Sequence, residues 1–262
     1  MPKANVNGTA IHYEIAGSGS PLVLTTGQGT GPAARQALID RLARHRTVLT
    51  YDQRGTGRSD AADQTCPMDV LADDISALMD VAGFDRADVI GVSTGTGKAT
   101  ALAVRHAQRV SRLVLAAPWT HGDDYLSNLQ RMRIAAARSM PADHYFHFNT
   151  LLIYPPEYRR QHLGDFDAKA RQALSTPQDA VGIAGRLEAI LAFDARKLYA
   201  QIQCPTLVMG ARDDIVMPWW FARDAAQAIP RAELALLEHG GHLFAETHPE
   251  EFLRHALPFL QA

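Results

Sequence analysis

Short apolar runs alternate with helical stretches along this chain, and that rhythm constrains the fold more than any other feature. Residues 22–26 (LVLTT), 46–51 (RTVLTY), 87–92 (ADVIGV), 112–117 (RLVLAA), 205–210 (PTLVMG) and 232–238 read as strands. Residues 32–44, 67–82, 94–107, 218–228 and 249–260 read as helices between and after them. In 67–82, Met68, Leu71, Ala72, Ile75, Leu78, Met79 and Ala82 fall on one helical face. Strands without a polar face must be covered on both sides, and strands joined through helices run parallel. The expectation is an α/β fold with a mostly parallel sheet and helices on both faces. An alternating segment, 10–16 (AIHYEIA), adds a strand near the N-terminus, followed by a turn at Gly17, Gly19 and Pro21.

The rhythm stops at Pro118-Trp119. From 119 to 193 the chain shows helical stretches broken at Pro141, Pro155-Pro156 and Pro177, and no strand pattern. The predicted organisation is therefore a core made of 1–118 and 194–262, with a helical cap, 119–193, inserted after the sixth strand. A chain of 262 residues with 47% hydrophobic content can bury such a core. The cap holds nine of the 19 aromatic residues. Trp119, Tyr125, Phe146 and Tyr154 are candidates for lining a substrate cavity; filling the cap's own core is the plainer alternative. Arg131, Arg133 and Arg138 also cluster there. A solvated helix face explains them most simply, and a site for a substrate carboxylate is the sharper possibility.

Several function classes fall away on composition. The formal net charge is −2, with basic and acidic residues intermixed, so neither nucleic acid nor an anionic membrane is expected as partner. No run of about 18 apolar residues suggests a membrane span, and the N-terminus lacks the apolar core of a signal peptide. Cys66 and Cys204 form no metal-binding or redox spacing, which fits reduced thiols and a cytoplasmic location. His144-x-x-His147 and His239-x-x-His242 come without the further ligands of a zinc site, so no metal and no cofactor is expected. A small-molecule substrate is the expected partner, with a homodimer left open.

Gly91-Val92-Ser93-Thr94-Gly95 lies between a predicted strand and a predicted helix. A G-x-S-x-G turn in that setting holds its serine in a strained conformation above the carboxyl ends of the strands. Small residues two before and two after let the helix pack close to the strand. A phosphate-loop reading of the same stretch fails: Val92 stands where the first Gly is needed, and Ala99 follows Lys98 where Ser or Thr should bind Mg²⁺. A serine nucleophile needs a base and an orienting acid. Asp213 follows the strand PTLVMG, and His242 follows the strand 232–238 through His239-Gly240-Gly241. The reading is Ser93 as nucleophile, His242 as base and Asp213 as acid, with Asp214 and His239 as the alternatives.

Taken together, the elbow GVSTG, the loop YDQRGTGRS, the segment CPTLVMGARDDIVMP and the ending GGHLFAETHPEEF resemble the α/β-hydrolase superfamily over nearly the whole chain. The resemblance implies an oxyanion hole from the backbone N–H groups of Gln28 and Thr94. The family's usual His-Gly before that position is Thr26-Gly27 here. The run YDQRGTG and the cap segment LLIYPPEYRRQ are similar to aminoacrylate (carbamate-type) hydrolases of pyrimidine utilisation. The start VNGTAIHYEIAGSGSPLVL is similar to 3-oxoadipate enol-lactonases. The expected activity is cofactor-independent hydrolysis of a small polar ester, lactone, amide or aminoacrylate-like substrate. A slow-turnover small-molecule receptor, and non-covalent His/Asp base chemistry of the dioxygenase or lyase type, remain the rival readings.

Overall fold

The computed structural model describes residues 2–27, 35–61, 66–175 and 178–261. Eight strands form one sheet in the order β1-β2-β4-β3-β5-β6-β7-β8. They are β1 (Lys3–Val6), β2 (Thr9–Ala16), β3 (Pro21–Thr25), β4 (Thr47–Tyr51), β5 (Ala87–Val92), β6 (Val110–Ala116), β7 (Thr206–Ala211) and β8 (Ala232–Leu237). β1, β2 and β4 pair antiparallel, and every pairing from β4 through β8 is parallel. β5 and β7 are buried at every position, as strands of a covered parallel sheet should be, and the one charged residue among them, Asp88, pairs with Arg46 at 2.9 Å.

The hairpin that opens the chain adds a strand to the sequence reading. Asn7 and Gly8 both take positive φ, 50° and 77°, which suits a two-residue turn, and Lys3–Val6 pairs with Thr9–His12. Only Val6 of β1 is buried, so this strand carries almost no apolar signal.

Helices α1 (Gln36–Ala43), α2 (Met68–Val81) and α3 (Gly95–Arg105) follow β3, β4 and β5. The stretch between β6 and β7 contains α4 (Asp124–Ser139), α5 (Ala142–Ile153), α6 (Pro156–Gln161), α7 (Leu163–Ala173), α8 (Ala180–Ala192) and the short α9 (Arg196–Tyr199), with no strand among its described residues. The chain closes with α10 (Trp219–Ala228), α11 (Phe244–Thr247) and α12 (Pro249–Gln261). α1, α11 and α12 pack as one group; α2, α3, α9 and α10 form the other. The central parallel strands thus end together, beneath the helices inserted after β6. No helix of the described residues is long and apolar enough to cross a membrane.

Candidate active site

The turn after β5 is built by close approach. A Cβ on Gly95 would stand 2.2 Å from the Thr25 carbonyl oxygen, and one on Gly91 would stand 2.7 Å from that of Gly95 and 2.9 Å from Ala99 Cβ. Glycine is required at both positions for α3 to leave β5 so sharply. Ser93, between them, sits at φ 56°, a left-handed conformation that costs a non-glycine residue about 1–2 kcal/mol. Its N–H donates to Ala116 O at 2.9 Å and its carbonyl accepts from Thr96 N at 2.8 Å, so the strained residue is held from both sides.

Ser93 Oγ lies 2.7 Å from His242 Nε2, and His242 Nδ1 lies 2.9 Å from Asp214 Oδ2. The carboxylate only accepts, so Nδ1 carries the ring proton and Nε2 is free to accept from the serine hydroxyl. Val216 N and Met217 N both donate to Asp214 Oδ1, at 2.8 and 2.9 Å. All three side chains are buried.

The sequence reading had placed Asp213 in this role, and the structure corrects it. β7 ends at Ala211, and the turn closed by Asp214 N donating to Ala211 O points successive side chains in different directions. Asp214 turns inward to the imidazole. Asp213 accepts instead from the backbone N–H groups of Gly240 and Gly241, at 3.1 and 2.9 Å. It therefore shapes the loop that carries His242. That loop also touches the inserted helices: His242 N donates to Ile153 O at 3.0 Å, and a Cβ on Gly241 would stand 2.9 Å from Pro155 Cδ.

Thr94 caps the N-terminus of α3 beside Ser93, where first-turn N–H groups lack intrahelical acceptors. Gln28, the other expected oxyanion donor, lies outside the described residues. The chain approaches it through Gly27, where a Cβ would come within 3.3 Å of Ser93 Oγ. The Thr26 carbonyl just before accepts from the buried ammonium of Lys98 at 2.9 Å, and Gln53 Oε1 accepts from the same group at 3.0 Å. Burial, with Arg35 nearby, lowers the Lys98 pKa to about 7. This lysine belongs to the packing of the loop.

A model of the alpha/beta hydrolase fold family matches residues 21–249. The chain belongs to that family. Among its curated relatives, RutD of Azorhizobium caulinodans, provisionally named a carbamate hydrolase, is 29% identical over 99% of this chain and 98% of that protein. RutD of a Caulobacter species, named likewise, is 32% identical over 99% of this chain and 98% of its own. Among solved structures, an enol-lactonase from Burkholderia xenovorans superposes with a TM-score of 0.87 at 28% identity, each chain covered completely.

In this alpha/beta hydrolase a cavity of about 890 Å³ opens over Ser93 and His242. That volume falls in the range of roughly 300–1,000 Å³ usual for small-molecule sites. Its upper wall comes from α4, α5, α7 and α8, with Phe146, Tyr154, Phe166 and Ile190 among the lining residues. Phe146 and Tyr154, two of the four cap aromatics singled out in the sequence, line this cavity. Tyr154 donates to Glu246 Oε2 at 3.0 Å and stacks on Tyr158. Glu246 also pairs with Arg35 at 2.7 Å.

Trp119 and Tyr125 do not line the cavity. Trp119 is fully buried at the seam after β6, its indole N–H donating to Ile190 O at 3.1 Å and its ring pressed against Gly97. Tyr125 is half exposed and donates to Ile215 O at 2.5 Å, fastening α4 to the loop after β7. Both are structural anchors. Of the clustered arginines, Arg131 and Arg138 are exposed on α4, and Arg133 stands in the cavity wall, where the carboxylate-site alternative would have it. Its signal in the sequence was Gln130 one turn earlier, whose Oε1 accepts from it at 3.0 Å.

Proposed function

We propose that this protein is a serine hydrolase acting on a small ester, lactone, amide or carbamate-type substrate. The observation that carries the reading is the continuous Ser93–His242–Asp214 hydrogen-bond chain at the floor of the cavity. As the substrate's carbonyl carbon meets Ser93 Oγ, the hydroxyl proton passes to His242 Nε2. Asp214 stabilises the resulting imidazolium and keeps the ring aligned. The tetrahedral oxygen takes its negative charge toward the N-terminus of α3, where Thr94 N–H is the expected donor. The imidazolium returns its proton to the leaving group. Water, deprotonated by His242, then attacks the acyl-serine and releases the acid.

The names of the relatives support a small polar substrate, and the size and mixed lining of the cavity agree with them. The test is reaction with a fluorophosphonate probe, read by intact mass, beside hydrolysis of short esters and enol-lactones. One adduct on the wild type, absent in Ser93→Ala and His242→Ala, is the expected result. Full turnover by folded Ser93→Ala would overturn covalent catalysis and leave His242 acting directly on water.

A further inference from the structure

Arg133 brings a guanidinium to the cavity wall, and the described residues give it no anion. Its Nε and Nη2 donate to Asn149 Oδ1 at 3.1 and 2.7 Å, and its Nη1 donates to Gln130 Oε1 at 3.0 Å. These are neutral amide oxygens. Three of the group's five N–H donors are used, which leaves two for another acceptor. The adjacent amide repeats the theme: Gln130 is fully buried, and its Nε2 has no acceptor among the described residues.

Burial lowers the Arg133 pKa, yet a guanidinium stays charged in proteins. Arg133 is only partly exposed, and a partly desolvated charge is stabilised by a counter-charge that the described residues do not supply and an anionic ligand would. The surroundings favour that direction. Lys169, Arg186 and Tyr145 line the same cavity, with Arg186 also paired to Asp179 at 3.5 Å. Of the lining carboxylates, Glu246 is engaged by Arg35 and Tyr154, and Asp165 is largely solvent-exposed near His162.

We propose that Arg133, clamped by Asn149 and Gln130, is a carboxylate-binding subsite, so that the substrate carries a free carboxylate remote from the bond broken at Ser93. This rests on the serine-hydrolase reading above. A planar carboxylate matches the flat, forked donors of a guanidinium, and the amide clamp fixes the direction of that fork. Arg133 then acts on specificity through binding, while Ser93 and His242 do the chemistry.

The test compares monomethyl succinate, which has a free carboxylate, with neutral dimethyl succinate in wild type, Arg133→Met and Arg133→Lys. Wild type is expected to prefer the acid ester at least 10-fold in kcat/KM; Arg133→Met should cut that preference roughly 30-fold, mostly through KM, and Arg133→Lys should restore part of it. Succinate titrated calorimetrically into Ser93→Ala should bind, and Arg133→Met on that background should remove the heat. No preference in wild type, or an equal loss on both esters in Arg133→Met, overturns the subsite. Should Arg133→Met fail to fold, Arg133→Lys and the succinate titration decide, and absent binding in Ser93→Ala counts against the proposal. The two readings separate cleanly. Probe labelling of Ser93 with no acid preference sinks the subsite alone. Arg133-dependent succinate binding without labelling or turnover sinks the serine mechanism alone.

Discussion

Asp213 and Asp214 hold one loop from two sides. Asp214 takes the imidazole proton side of His242, and Asp213 takes the backbone N–H groups of the two glycines before it. Replacing each should have a different signature. Asp214→Asn is expected to lower kcat by about 10⁴-fold with little loss of stability, because the wrong tautomer is favoured. Asp213→Ala removes two hydrogen bonds and should cost about 2 kcal/mol of stability, with a much smaller fall in kcat. Steady-state kinetics and urea melts on both variants check this; a larger kcat loss in Asp213→Ala would return the acid's role to that residue.

The strain at Ser93 can be isolated from its chemistry. Ser93→Ala and Ser93→Gly both lose the hydrogen bond to His242, but only glycine relaxes at φ 56°. Ser93→Gly should therefore be the more stable of the two inactive proteins by about 1 kcal/mol. Equal urea midpoints would mean that the turn stores no backbone strain.

Two glycines should respond oppositely to alanine. Gly95→Ala drives a Cβ into the Thr25 carbonyl and is expected to cost about 3 kcal/mol or more, with loss of probe labelling at Ser93. Gly164, in the first turn of α7, has nothing within 4 Å of a built Cβ, so Gly164→Ala should raise stability by about 0.5 kcal/mol. Thermal melts of the pair give the comparison directly.

Lys98 should imprint a pH dependence on stability. Its pKa is about 7 in the folded protein and near 10.5 when unfolded, so between those values the unfolded chain holds more protons. Stability therefore rises with pH across that window, and the cost of burying the charged form is felt fully below about pH 7. From pH 7 to 9 wild type should gain about 2 kcal/mol relative to Lys98→Met. Identical pH profiles for the two proteins would show that the ammonium is better solvated than its burial implies.

Most of the sheet was legible because its signals are local. The runs at β3 to β8 are apolar and short, and the Gly91-to-Gly95 turn announces its own geometry through glycine spacing. β1 was not legible, since one buried residue leaves no alternation to read. The choice between Asp213 and Asp214 depends on how a turn rotates two adjacent carboxylates, which residue type alone does not encode. Arg133, Trp119 and Tyr125 share a further reason. Which face of an inserted helix meets the cavity is fixed by packing against its neighbours, and helical periodicity gives the spacing of a face without its direction.

The hydrogen bond from His242 N to Ile153 O, with Pro155 wedged against Gly241, ties the imidazole's own backbone to the end of α5. At that corner the inserted helices are welded to the machinery beneath them. A displacement of α5 at that corner would therefore carry the backbone of His242 with it. On the serine-hydrolase reading, a shift of α5 would be felt at the ring as a change of aim toward Ser93.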